Sequence, residues 1–425
     1  MNNQLLHTPE GVRDIYGREC AEKQAVQERV ERVFHLYGYE HIETPVFEFF
    51  DIFKKERGSV GSREMFKLFD RDNNTLVLRP DMTPPIARCT AKYFMDEEGP
   101  LRLCYMGPAF INSSSYQGRL KETTQTGAEL IGDDSADGDG EMVAMVIQAL
   151  LAAGLQEFQV ELGQVEFYRG LLDEAGMDGD TADTLRCLIE EKNFFGVEEL
   201  LSELSIPDEL KQVFLKLPEL FGDIGQIRLA RTMTSNSRAL KAIDRLEEVQ
   251  RILDIYGLGD YVSYDLGMLS KYSYYTGIIF KAYTYGTGEY VVTGGRYDRL
   301  LEQFGKKAPA VGFAIVVDRL MMALARQRID VPVDMVSTAI LYDDGARSAG
   351  IRLAGHFRKN GMAVQLLCRT AGAGTEDYTG WARRRNIRNL LVLEGSGERI
   401  TAYNTLTGQA DTLAYTDYMP EEENL

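Results

Sequence analysis

The chain has 425 residues, 44% hydrophobic and 26% charged, with a formal net charge of −18; this is the make-up of a soluble globular protein long enough for several domains with a substantial core. A membrane-spanning helix needs a run of about 18 apolar residues, and none occurs; the nearest run, 142–155, is shorter and contains Gln148 and Gly154, so it reads as a buried core helix. So acidic a chain is a poor non-specific ligand for nucleic acid, whose phosphates must be met by Lys and Arg, and nucleic acid is not expected as a partner.

The opening residues, Met1 to His7, lack the basic stretch and apolar core of a secretion signal, and a cytoplasmic location is expected. Over 18–37, Ala21, Ala25, Val26, Val30, Val33, Phe34 and Tyr37 recur at helical spacing and predict an amphipathic helix that Gly38 ends. Residues 39–48 are largely β-branched or aromatic and hold Pro45, which predicts an edge strand or a strand end. A short strand at 75–78 delivers Asp81 to the mouth of a helix, with Thr83 as N-cap and Pro84 as first helical residue. Strands at 101–106 and 121–130 follow. In the second, period-two alternation places Lys121, Thr123, Gln125, Gly127 and Glu129 on one face. If that face is buried, Gln125 and Glu129 need polar partners, which a ligand can supply; if it is solvated they need none.

Residues 170–257 read as helices rich in Leu and Glu, broken at Pro207 and Pro218. The stretch 171–260 holds 19 acidic and 10 basic residues, half of the net negative charge. Strand signals return at 261–267 and 274–280, then in Gly-Gly-Arg-Tyr-Asp at 294–298, and a strand turns into a helix over 309–320. The chain reads as a linker around Val331-Pro332-Val333. Beyond it, strands at 337–342, 364–368 and 389–393 alternate with helices at 345–360 and around 381–385, which predicts a small α/β domain with a mixed sheet. There Arg383, Arg384, Arg385 and Arg388 form a basic patch, read first as a solvated helix face and second as residual RNA contact. Ala371-Gly372-Ala373-Gly374 reads as a flexible loop, and the tail from Pro420 as disordered. The five cysteines form no Cys-x-x-Cys pair, the four histidines lack metal-ligand spacing, and phosphate-loop and nucleophile-elbow motifs are missing, so neither metal nor cofactor is expected.

The segment 107–129 resembles motif 2 of class II aminoacyl-tRNA synthetases, the histidyl-tRNA synthetase in particular. Gly107, Pro108, Phe110, Gly118, Arg119, Gln125, Gly127 and Glu129 stand at that family's spacing. Residues 18–48 resemble motif 1, the dimer-forming unit, and Tyr274-Tyr275-Thr276-Gly277 and Gly294-Gly295-Arg296-Tyr297-Asp298 resemble segments specific to the histidyl family. The likeness covers most of the chain and is strongest over 8–130 and 262–320. It implies an α+β fold: a class II synthetase-like antiparallel sheet with flanking helices (1–169 and 258–328), a helical insertion (170–257) and a C-terminal α/β domain (335–425) similar to an anticodon-binding domain. It further implies a histidine pocket made by Asp81, Thr83, Gln125, Glu129, Tyr274 and Tyr275, with Asp81 in place of the family's Glu against the ligand's amino group. The catalytic positions depart from the family. Ile111 and Ser113 replace the motif 2 Arg and Glu, Ser270 and Ser273 replace a catalytic Arg and an Asp, and Val316 replaces the glycine that opens motif 3. Adenylation needs cations on the developing phosphate charge, so no catalytic residue is assigned.

A histidine-type pocket on a synthetase fold without its ATP chemistry is similar to a second family, the regulatory subunits of ATP phosphoribosyltransferase. Its Arg-Pro-Asp-Met-Thr-Pro-Pro-Ile-Ala-Arg signature stands here at 79–88. That resemblance implies a non-catalytic subunit required for the first step of histidine biosynthesis and for feedback inhibition by L-histidine. It implies a short-form ATP phosphoribosyltransferase catalytic subunit as partner, a hetero-octamer, and a homodimer of this chain within it. Residues 335–425 depart from the many members that lack such a domain. The alternatives are an active histidyl-tRNA synthetase, which requires Arg at 111 and 270, and an RNA-binding remnant, which requires a basic surface.

Overall fold

The amphipathic N-terminal segment forms helix α1 (Gly17–Leu36) in a computed structural model that describes residues 6–53, 60–113, 119–269 and 274–419. It buries Val26, Val30, Val33 and Phe34 and gives way to Gly38 at φ 81°, a left-handed conformation that glycine adopts without strain. The single strand expected over 39–48 is instead two, β1 (Glu40–His41) and β2 (Phe47–Phe49), with Pro45 between them lacking the N–H that a continuous ladder needs. β2 and β3 (Lys67–Phe69) flank β4 (Thr75–Leu78) in a small antiparallel sheet. Helix α2 (Thr83–Tyr93) starts one residue earlier than expected. Met82 is the N-cap, Thr83 is the first helical residue, and its backbone N–H donates to Asp81 Oδ1 at 3.1 Å.

The chain continues through β5 (Leu101–Phe110), β6 (Glu122–Ile131), α3 (Ala136–Ala153), β7 (Gln159–Gln164) and α4 (Val165–Ala175). The expected start of the insertion, at 170, falls inside α4. Helices α5 (Gly179–Glu190), α6 (Phe194–Glu203) and α7 (Asp208–Lys216) precede a two-residue strand, β8 (Phe221–Gly222), and then come α8 (Ile224–Thr232) and α9 (Ser237–Ile255). Local chemistry sets these boundaries. Asp178, Asn193, Asp223 and Asn236 each accept a first-turn backbone N–H of α5, α6, α8 and α9, while Pro207 precedes α7 and Pro218 sits in the 3-10 turn after it. The remaining strands are β9 (Val262–Asp265), β10 (Ile278–Tyr283), β11 (Val292–Arg296) and β12 (Ala310–Val316), followed by α10 (Val317–Arg326).

Among the described residues, nine strands form one mainly antiparallel sheet in the order β1-β5-β6-β12-β11-β10-β7-β9-β8. β8 comes from within the helical stretch, so that stretch supplies one edge of the sheet. Helices α1 and α3 cover one face; Phe34 of α1 meets Phe313 of β12 edge-on, ring centroids 5.6 Å apart, and α3 is buried along most of its length. No helix among the described residues is long and apolar enough to cross a membrane.

The chain divides into two compact units, Met1–Val331 and Pro332–Leu425. The second unit carries β13 (Thr338–Tyr342), α11 (Arg347–Lys359), β14 (Val364–Cys368), α12 (Thr375–Arg384), β15 (Asn389–Leu393), β16 (Arg399–Asn404) and β17 (Ala410–Ala414). Its sheet, β14-β13-β15-β16-β17, is parallel across the first three strands and antiparallel across the rest. The last two strands have no counterpart among the predicted elements. In the basic patch Arg383 is drawn onto the Thr405 carbonyl (2.9 Å), while Arg384, Arg385 and Arg388 are exposed. The tail from Pro420 lies outside the described residues.

Candidate functional site

Opposite the helix-covered face, the pleat brings residues two apart onto one surface, and the register aligns them across strands. Gln125 lies between Gly107 and Val316, Glu129 between Leu103 and Gly312, and Gly312 beside Gly295. This surface is the floor of a cleft of about 1730 Å³. The absence of side chains at two floor positions is what lets others lie there. A Cβ on Gly312 would stand 1.5 Å from Glu129 Oε2, and one on Gly295 would stand 2.8 Å from the Tyr275 ring.

Asp81, Thr83, Gln125, Tyr274 and Tyr275 all line the cleft. Asp81 arrives there because Arg79, buried just before it, is bonded through Nε to the Pro108 carbonyl (2.9 Å) and through Nη1 to the Thr44 carbonyl (2.6 Å), which ties the β4–α2 junction to β5. The Tyr274 hydroxyl donates to Asp81 Oδ2 at 3.5 Å, and its ring lies 4.8 Å from that of Tyr275 and 6.0 Å, edge-on, from that of Tyr297. The backbone of Tyr275 is held by Arg169, whose Nη2 donates to its carbonyl at 2.9 Å; Arg169 pairs in turn with Glu166, and Glu166 with Arg238 of α9. Among the described residues Gln125 Oε1 is buried without a hydrogen-bond partner, an unmet acceptor of the kind that a bound donor satisfies.

Glu129 is placed differently from the other five. It lies one layer beneath the cleft, fully buried, and accepts from the Thr83 hydroxyl at 2.8 Å and the Tyr297 hydroxyl at 2.5 Å. Burial pushes its carboxyl up to about 8; the nearby charge of Asp81 acts in the same direction, and the two hydroxyl donors act against it. Burial also raises the Tyr275 phenol well above its ordinary range. At the other end of the floor Glu161 and Asp265 are held above the usual carboxylate range, chiefly by burial, with Lys192 Nζ 4.0 Å from Asp265.

The side of the cleft toward β12 and α10 has a different character. Ile111, Ser113 and Val316 line it, an apolar side chain, a hydroxyl and, at the start of α10, a β-branched side chain. Ser270 lies outside the described residues, as do Gly118 and Ser273. Arg119, Arg319 and Arg326 line this side; Arg326 donates to the Gly286 carbonyl, and the other two pair with one carboxylate, that of Glu289: Arg119 Nη2 at 2.7 Å on Oε1, and Arg319 on Oε2. Asp318 is engaged elsewhere, with Lys23 Nζ (2.8 Å) and the Thr124 N–H (2.6 Å). Among the described residues no group of three or more His, Cys, Asp and Glu is placed to hold a metal ion.

Sequence reasoning found the five lining residues and Glu129 but missed Tyr297, Arg169 and Glu289. Tyr297 had a signal, since it stands inside the Gly-Gly-Arg-Tyr-Asp segment; Arg169 and Glu289 had none.

The model of the histidyl-tRNA synthetase family matches residues 11–320. An ATP phosphoribosyltransferase regulatory subunit of Acetivibrio thermocellus is 40% identical over 415 residues, 97% of this chain and 98% of its own length; that span includes most of the C-terminal unit. Another, of Ruminiclostridium cellulolyticum, is 38% identical over 404 residues, 95% of this chain and 96% of its own. Among solved structures, an ATP phosphoribosyltransferase regulatory subunit/histidyl-tRNA synthetase from Bacillus halodurans C aligns with a TM-score of 0.83 at 33% identity, covering 92% of this chain and 99% of that one. The histidyl-tRNA synthetase of Nostoc sp. PCC 7120 aligns with a TM-score of 0.79 over 99% of both chains, at 18% identity, a likeness of fold.

Proposed function

This chain belongs to the family of ATP phosphoribosyltransferase regulatory subunits, built on the histidyl-tRNA synthetase fold, and on that premise we propose that it activates a separate short-form catalytic subunit and makes it sensitive to L-histidine while performing no chemistry itself. The observation that carries the reading is the asymmetry of the cleft. One side gathers a carboxylate, a hydroxyl, an unmet amide oxygen and two phenols at Asp81, Thr83, Gln125, Tyr274 and Tyr275, which suits a small zwitterion with a polar ring. On the other side Ile111 and Val316 stand where phosphate chemistry needs a cation and space, and Arg119 and Arg319 share the single carboxylate of Glu289. Charge-assisted bonds to an ammonium contribute about 1.5–3 kcal/mol each, so Asp81 is the principal anchor; Glu129 acts from beneath by fixing Thr83 and Tyr297.

A ligand shifts an equilibrium only by its differential affinity for two states. Histidine therefore regulates by binding one state of the complex better than another, and the catalytic chain's substrates oppose it by the same factor. A homodimer formed through α1 and the β1–β2 segment, assembled with the catalytic subunit into a hetero-octamer in the cytoplasm, completes the proposal. The test is phosphoribosyl-ATP formation by the catalytic subunit alone, with this chain, and with this chain plus histidine, beside calorimetric titration of histidine into the parent and Asp81→Ala. The expected result is activation, inhibition by histidine, and affinity lowered about 5- to 150-fold in the variant. A catalytic subunit fully active alone and indifferent to both additions sinks the reading. The alternative of an active synthetase predicts histidine-dependent exchange of pyrophosphate into ATP.

A further inference from the structure

The turn between β10 and β11 carries Glu289 between Gly288 and Tyr290. Gly286 and Gly288 on this turn take φ of 91° and 71°, conformations that suit glycine, and the Thr287 hydroxyl donates to the Glu289 carbonyl at 2.7 Å, which fixes the backbone below the side chain. Above it, the carboxylate bridges two guanidinium groups from unrelated elements. Arg119 comes from the segment ahead of β6 and Arg319 from the first turns of α10. Arg319 is further held by Nη1 donating to the Tyr290 carbonyl at 2.9 Å and by stacking 4.8 Å from the Tyr290 ring centroid. Two convergent arginines with their donors aimed at one point are a fork for an oxyanion, because each guanidinium offers paired N–H groups in a fixed plane. Here a side chain of the protein itself fills that fork. Asp318, next to Arg319, does not compete for it, since Lys23 and the Thr124 N–H already satisfy its carboxylate.

We propose that Glu289 is a specificity residue that closes the Arg119–Arg319 fork to phosphate-bearing ligands and so reserves the cleft for an amino acid. The inference rests on the regulatory reading above, which supplies its rationale. A regulator that works beside an ATP-consuming subunit and presents Arg119 and Arg319 together in an open cleft would offer its partner's nucleotide a foothold there unless those two were already paired. A polyphosphate entering the cleft must either displace Glu289 from both guanidiniums or stand beside it as a like charge, and both routes oppose binding.

The experiment uses the full chain with Glu289→Ala, Glu289→Gln and the double variant Glu289→Ala/Arg319→Ala. Each is titrated calorimetrically with sodium tripolyphosphate and, separately, with histidine. The parent should give no saturable tripolyphosphate signal at millimolar concentration. Glu289→Ala should bind it about ten-fold more tightly or better, Glu289→Gln should gain less, and the double variant should lose the gain. Parent affinity within about two-fold of Glu289→Ala would show that the carboxylate excludes nothing. Absence of any gain in both single variants would show that the fork is no oxyanion site. The histidine arm separates the two ideas: a gain in tripolyphosphate binding by a protein that does not bind histidine supports the role of Glu289 and overturns the amino-acid reading alone.

Discussion

A carboxyl sealed from water with hydroxyl donors but no cation against it stays protonated to unusually high pH, and among the described residues Glu129 is in that position. Its ordinary value of 4.5 in an unfolded chain and about 8 in the fold define a window. Within that window the folded protein binds more protons than the unfolded one. The contribution to stability is therefore complete below 4.5, declines as pH rises, and is lost above about 8. Glu161 and Asp265, also raised by burial, act in the same direction. In Glu129→Gln the amide still bonds to Thr83 and Tyr297 and has no such proton to lose. Its melting temperature should fall less steeply than the parent's between those pH values, as read by thermal unfolding across a pH series; identical slopes would assign the effect to other groups. Residues of this kind are only half legible in a sequence. Alternation put Gln125 and Glu129 on one face of a strand, and family spacing named the other lining residues. The partnership of Glu129 with Tyr297 joins positions 168 apart, and no local pattern carries it. The same holds for Glu289 and its two arginines.

Elements are fastened to one another beneath the cleft by a buried charge cluster. Asp139 of α3, with a fully buried side chain, takes Arg296 of β11 at 2.7 Å and Arg245 of α9 at 2.7 Å, and the Arg296 side chain is itself 6% exposed. The gain from such a cluster is offset by the cost of drying its members, but removing one partner leaves the others charged and buried. Asp139→Ala should therefore cost about 3–5 kcal/mol, measured by urea unfolding. It should also loosen Tyr297, which follows Arg296 in the chain, and with it histidine affinity. The helices on either side of this cluster were readable from periodicity and capping residues, and most strands from their β-branched cores. What failed was finer. Proline divided one expected strand into β1 and β2, β8 is too short to leave a pattern, and β16 and β17 hold too little alternation of apolar residues to stand out. Each of these depends on a neighbour already in place.

On the scale of the molecule, every residue lining the cleft belongs to the unit Met1–Val331, and Pro332–Leu425 has apolar clusters of its own around Ile340 with Leu391 and around Leu341 with Val392. A chain ending at Val331 should unfold in one cooperative transition and titrate histidine with the affinity of the full protein; a broad transition or lost binding would mean that the first unit depends on the second. The sequence reads as a linker over 328–335, around Val331-Pro332-Val333, and the two units part at Val331 and Pro332. The main sheet has one more property that bears on assembly. Its outermost strands, β1 and β8, are two residues long. An incoming strand gains its hold from successive main-chain bonds along an open edge, and neither β1 nor β8 by itself offers more than a single step of that ladder. A companion that meets the sheet at β1 or β8 must therefore grip it chiefly by surface chemistry, so a footprint there can be charted one side chain at a time.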